Sequence, residues 1–120
     1  MQQKRYLTRP EQFKSVYDNG SSIINRLIVL KIMRNGMDVS RYGISINSKV
    51  GGAVVRNRIK RRLREILRKI SIEKGWDFVI IARPAAAKVN YQELKNSVDH
   101  LLAKANLLVD QTGKNNTEEL

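Results

Sequence analysis

Residues 54–69 read VVRNRIKRRLREILRK, and no other stretch constrains the possible folds of this chain so tightly. Eight of these sixteen residues are Arg or Lys, and only Glu65 is acidic. Between the charges, Val55, Ile59, Leu63, Ile66, Leu67 and Ile70 recur at the i, i+3, i+4 spacing of one helical face. The segment therefore predicts a helix whose apolar stripe docks on another layer. At about 100° per residue, Asn57, Arg61, Arg64 and Arg68 fall on the opposite side. Lys60 and Arg62 flank the stripe, and Arg58 lies between the flank and the outer face. Arg56 projects toward the apolar side, but its place in the first turn predicts that it points past the packed surface.

A merely solvated helix mixes Glu with Lys. Here Arg58/Arg62, Lys60/Arg64 and Arg64/Arg68 are like-charge i, i+4 pairs, and Arg58/Arg61 and Arg61/Arg64 are i, i+3 pairs. Together they oppose the helix by about 1–2.5 kcal/mol, and Glu65, with Arg61 and Lys69, recovers only part of that. The pattern fits a surface built for a polyanion. The whole chain agrees, since 23 basic residues against 11 acidic ones leave a net charge of +12. Nucleic acid is the first candidate and an anionic membrane the weaker one, because no apolar run approaches the length of a membrane span. The opening MQQKRYLTRP lacks a secretory apolar stretch. The absence of Cys removes disulfides and thiolate metal sites and gives a cytoplasmic location as the expectation.

The remaining sequence supplies the other layers. In LTRPEQFKSVYDNG, Thr8 and Glu11 have the spacing of a capping box, with Pro10 in the first turn and Asn19-Gly20 as a stop. Phe13, Val16 and Tyr17 share a face of that helix. SSIINRLIVLKIM predicts a short strand, a break near Asn25-Arg26 and a longer strand over Leu27–Met33. Asn35-Gly36 marks a turn, and YGISIN (residues 42–47) alternates as a half-buried strand does. Gly51-Gly52 leads into the basic helix, and Gly75 interrupts after it. DFVIIA (residues 77–82) reads as a strand covered on both faces. After the loop RPAAAKV, Asn90 and Glu93 form a capping pair. Tyr91, Leu94, Val98, Leu101, Leu102 and Ala105 then make a helical stripe. The expectation is one α+β domain over residues 1–109, helices on a central sheet, with a disordered polar tail over 110–120.

A DNA-reading helix usually follows a helix-turn companion, whereas the residues before Val54 read as strand, so RNA is the better partner. Ser45, Lys49, Gly51, Ala53-Val54, Arg56-Asn57, Lys60-Arg61 and Arg64-Glu65 make an RNR-type segment entered from a strand through a Gly-Ala-Val turn. With the Phe13/Tyr17 helix before it and IIARPAAA and ELKNSVDHLLAKA after it, the chain resembles the protein component of bacterial ribonuclease P over roughly residues 4–108.

The resemblance implies an αβββαβα sandwich with a left-handed βαβ crossover through the basic helix, against the usual hand. It implies membership of a ribonucleoprotein endonuclease that removes the 5′ leader of precursor tRNA, with one protein per catalytic RNA. Lys49, Arg56, Asn57, Arg58, Lys60, Arg61, Arg62, Arg64 and Arg68 would bind RNA. Phe13, Tyr17 and Lys31 would line a cleft for the single-stranded leader, where bases stack on aromatic rings. Lys31 shares a strand face with Leu27, Val29 and Met33, and stands where relatives can carry an aromatic. Ser48 and Gly52 stand where they commonly carry Lys and Asn. Mg²⁺ is implied with the RNA subunit, and no protein motif for a metal or for catalysis is expected. The acidic residues are scattered, and the lone His100 reads as a packing or surface residue. The alternative is a structural RNA-binding module of the ribosomal or translation-factor type, which would need the basic helix but no aromatic cleft.

Overall fold

Residues 4–109 are described in a computed structural model; the tail expected from Asp110 lies outside them. The first helix, α1 (Pro10–Asn19), begins where proline's fixed φ suits a first turn. That start makes Arg9 the cap, one residue later than the expected Thr8. It brings Gln12, not Glu11, into position: its Oε1 accepts from the Thr8 and Arg9 backbone N–H groups at 2.7 and 3.0 Å. Gly20 ends α1 for want of space. A Cβ there would come within 2.6 Å of the Val16 carbonyl oxygen and 2.7 Å of that of Ile32.

Strand β1 (Lys4–Tyr6) precedes α1, and β2 (Ser21–Ile24), β3 (Ile28–Arg34) and β4 (Ser40–Ser45) follow it. The expected break is closed by Asn25, whose Oδ1 accepts from the Leu27 and Ile28 N–H groups, both at 3.0 Å. The Asn35-Gly36 turn forms as predicted, with Gly36 at φ +71. Strand β4 starts two residues before the expected Tyr42, because Ser40 and Arg41 have partners across the sheet. Ser40 Oγ donates to the Glu73 carbonyl at 2.6 Å. Arg41 grips the buried Asp77 through Nε at 2.8 Å and Nη2 at 2.6 Å, and Asn35 Nδ2 donates to the same carboxylate at 2.9 Å. This fork holds the Arg41 pKa above its ordinary value, chiefly through the hydrogen bond to Asp77. Asn47 lies outside the strand, where its Oδ1 accepts from Lys49 N–H and caps a short 3₁₀ turn over Ser48–Val50.

The basic segment forms α2 (Ala53–Arg68), followed by β5 (Trp76–Ala82), a 3₁₀ turn (Pro84–Lys88) and α3 (Tyr91–Lys104). The reciprocal cap of α3 is present: Asn90 Oδ1 accepts from Glu93 N–H at 2.8 Å, and Glu93 Oε1 from Asn90 N–H at 3.1 Å. Beyond α3, Leu107–Val109 turns back alongside Ser71–Glu73, through Glu73 N–H to the Leu107 carbonyl and Val109 N–H to that of Ser71.

The sheet has the order β1-β4-β5-β3-β2, so the four expected strands gain a fifth at one edge. Strands β1, β4 and β5 are mutually parallel, while β3 runs against β5 and β2 against β3. Two crossovers result, β1–α1–β2 and β4–α2–β5, both progressing in the same direction across the sheet. In β5, Phe78, Ile80 and Ala82 pack with α2 and α3, whereas Val79 and Ile81 pack with α1, so the two helical layers lie on opposite faces. Crossovers that run the same way over opposite faces have opposite hands. A left-handed connection at one of the two is therefore unavoidable in this topology, against the common rule; the resemblance assigns it to the crossover through α2.

Candidate RNA interface

The stripe expected on α2 is its buried face: Ile59, Leu63, Ile66 and Leu67 are fully enclosed, and Val55 and Ile70 are half-buried around them. That docking fixes the opposite face toward solvent, where Asn57, Arg61, Arg64 and Arg68 are all exposed. Among the described residues, Glu65 to Lys69 at 3.1 Å is the one ion pair made by a residue of α2. The outer arginines thus keep their guanidinium forks for an external anion.

The flanking cations have a second use. Arg58 Nη2 donates to the Ala87 carbonyl at 3.3 Å and Arg62 Nη1 to the Val89 carbonyl at 3.2 Å, tying α2 to the turn after β5. Arg56 Nε donates to the Gly51 carbonyl at 3.0 Å, closing the entry to the helix instead of reaching past it. Lys49 is exposed on the 3₁₀ turn just ahead.

On the other face of the sheet, α1 covers only part of the surface. The Phe13 ring lies against Gly43, where any side chain would overlap it. Phe13 and Tyr17, one turn apart, have ring centroids 6.5 Å apart at 48°, and Tyr17 is 38% exposed. Gly43, Val79, Lys31 and Ser22 form one cross-strand row. Lys31 therefore stands two strands from the glycine beneath Phe13, roughly 10 Å along that row at the usual strand spacing. The next row on this face is Ser45, Ile81, Val29 and Ile24, each partly or fully open to solvent. An uncovered strip of sheet bordered by two aromatics and one cation can receive an extended polyanionic strand.

The two surfaces meet at the β4 edge. Strand β1 pairs with β4 only as far as Tyr6, and beyond it opens a cleft lined by Tyr6, Phe13, Tyr42, Ile44, Lys60 and Arg64. Burial, with a hydrogen bond to Tyr6, pushes the Tyr42 phenol pKa well above its ordinary value. The nearby Arg64 and Arg68 oppose that shift without cancelling it.

The family model for Ribonuclease P matches residues 1–106. The chain belongs to the ribonuclease P protein family. A ribonuclease P protein component from Dehalococcoides mccartyi is 45% identical over 108 residues, spanning 90% of each chain. One from Caldanaerobacter subterraneus is 42% identical over 84% of this chain and 89% of the relative. Among solved structures, the RNase P protein of Staphylococcus aureus superposes with a TM-score of 0.79 at 34% identity, covering 87% of this chain and 97% of that one. The Thermotoga maritima RNase P protein gives 0.77 at 33% identity, covering 83% and 96%. Family membership carries a part in the ribonuclease P ribonucleoprotein, and so in tRNA processing.

Against this ribonuclease P fold, the residues singled out in the sequence divide into groups. The outer arginines share one open surface, and Phe13 and Tyr17 touch. Lys31 shares their sheet face, in the cross-strand row of Gly43 and Val79. Leu27, expected on that face, precedes β3 and packs in the core beneath α2 and α3. His100 is exposed on α3, a surface residue as read. Tyr6 is the residue overlooked, since KRY is too short to register as a strand, while Tyr42, read as a strand residue, carried no sign of the cleft it lines. Gly43 carried a usable signal: an isolated glycine in a strand marks close approach, here by Phe13.

Proposed function

We propose that this protein binds the catalytic RNA of ribonuclease P through the outer face of α2. In the same reading it holds the 5′ leader of precursor tRNA along the open strip of sheet beside Phe13 and Tyr17. It thereby promotes endonucleolytic removal of that leader. The observation that carries this reading is the adjacency of an exposed arginine face and an aromatic-bordered strip, which meet at the β4 edge. Arginine forks pair with phosphates bidentately, whereas aromatic rings stack on bases of any sequence. A purely structural RNA-binding module has no use for the second surface.

The chemistry of cleavage belongs to the RNA in this account. Among the described residues no three His, Asp or Glu side chains gather as a metal site, and the buried carboxylate of Asp77 is taken by Arg41. These residues do not fit a protein-held Mg²⁺, and the ion belongs with the RNA subunit. The protein's contribution is to neutralise phosphate repulsion and to orient the leader. One protein per RNA and a cytoplasmic setting complete the proposal; no helix among the described residues is long and apolar enough to cross a membrane.

Reconstitution tests it. Purified protein, the catalytic RNA and precursor tRNA are combined at low Mg²⁺. The expected result is leader removal at a Mg²⁺ concentration where the RNA alone is slow, and none by the protein alone. Robust 5′ processing by RNA-free protein, or no gain over RNA alone, refutes it.

A further inference from the structure

The cleft at the β4 edge has features that neither a basic face nor an open sheet requires. Phe78 is fully buried, Tyr42 stacks on it with centroids 5.8 Å apart, and Tyr6 meets Tyr42 edge-on at 5.1 Å. This aromatic series starts in the core and ends in a ring that is 58% exposed. Its inner neighbour fixes the Tyr6 ring, leaving an outer surface open. Lys60 and Arg64, one helical turn apart on α2, line the same cleft. The strand edge contributes as well. The Tyr42 carbonyl accepts from Leu7 N–H at 2.8 Å on this edge. By the two-residue period of a strand, Ile44 turns its own N–H and C=O the same way, where β1 has no residue to pair with them.

We infer that this cleft takes one unpaired nucleotide of RNA, its base on the Tyr6 ring and its phosphate against Lys60 and Arg64. The Ile44 backbone offers one donor and one acceptor to the edge of that base. Each element matches a different part of a nucleotide: a π face, two cations and a hydrogen-bonding edge. An apolar peptide would use the ring but leave both cations without partners, and a bare phosphate would leave the ring unused. The inference rests on the proposed RNA-binding role and adds a contact at the junction of its two surfaces. The nucleotide belongs either to the leader or to the catalytic RNA, since both offer unpaired bases.

The test compares Tyr6→Leu, which keeps apolar cover over Tyr42, with Tyr6→Phe, which keeps the ring. Affinity is measured for leader-bearing and leaderless tRNA in the reconstituted holoenzyme, and for the catalytic RNA with protein alone. A melting curve is recorded for each variant. Tyr6→Leu is expected to weaken binding about 5- to 150-fold, the scale of one lost base stack, at unchanged melting temperature, with Tyr6→Phe close to the parent. A loss confined to leader-bearing tRNA assigns the nucleotide to the leader, and a loss with the catalytic RNA alone assigns it there. Parent-like affinity of Tyr6→Leu for all three RNAs, while Tyr17→Ala still weakens leader binding, overturns the cleft and leaves the proposed function standing. A loss that follows lowered stability, or is equal in Tyr6→Phe, also overturns it. If neither Tyr6→Leu nor Tyr17→Ala changes any affinity, the proposed leader strip has failed as well.

Discussion

The two faces of one sheet are finished differently. Beneath α2 and α3, Ile28, Leu30, Tyr42, Phe78, Ile80 and Ala82 are almost entirely enclosed, with leucines of both helices and isoleucines of α2 interleaved among them. Beneath α1, Val16 and Val79 are buried, but Met33 and Ile81 are only partly so. Lys31 stands on this face, and Ile24, at its edge, is 59% exposed. A face covered by two helices leaves no room for a ligand, and one covered by a single short helix keeps a strip free. Strand β5 serves both faces, which is why its sequence is apolar on both sides and reads as fully buried. The closed face holds most of the buried core, and the open one keeps the strip proposed for the leader.

Substitutions on each side can break that contrast. The largest effect belongs to the closed face: Phe78→Ala should lower the unfolding free energy by about 3–5 kcal/mol, measured by urea denaturation. A cost below ~1 kcal/mol would mean that the core repacks and the closed face is not the main source of stability. Next comes the outer surface of α2, where changing Arg61, Arg64 and Arg68 together to Ala should leave the circular dichroism spectrum unaltered. The log–log salt dependence of catalytic-RNA affinity should fall by about two to three units in magnitude, one phosphate per arginine. An unchanged slope makes the surface a solvated one. The smallest effect is expected at Tyr17. Tyr17→Ala should weaken leader-bearing tRNA by about 1–3 kcal/mol in the reconstituted holoenzyme, with little change for leaderless tRNA or in melting temperature. Equal losses for both tRNAs would return Tyr17 to packing and favour a structural RNA-binding module.

Periodicity made the closed face legible. The stripes of α2 and α3, the Asn90–Glu93 cap and the alternation through Tyr42 and Ile44 are local patterns, and each stands as read. The outer arginines followed from the same arithmetic, since a helix with one face docked has only one place for them. What sequence could not supply was pairing between distant segments. Strand β1 is recognisable only because β4 offers it an edge, and Arg41 joins β4 because Asp77, 36 positions away in sequence, is its partner. Similarly, Arg58, placed between flank and outer face, and Arg62, placed on the flank, hold carbonyls of a turn that helical geometry does not predict. The cleft at Tyr6 was invisible for the same reason, since its lining residues come from β1, α1, β4 and α2. The β1 and β4 contributions come together only through sheet order.

That order also dictates when the interface can exist. Strands β3 and β4 are consecutive in the chain but are separated in the sheet by β5, the last of the strands to be made. A growing polypeptide that ends before residue 76 can form the β2–β3 hairpin, but it has no way to join that hairpin to β4. Nor can α2 find its complete floor, because Phe78 and Ile80 have yet to appear. During synthesis the arginine-rich segment must therefore emerge before the surface that will orient it, as an amphipathic stretch able to meet polyanions indiscriminately. Only the arrival of β5, a late and non-local event, converts that exposed charge into a face with a fixed direction.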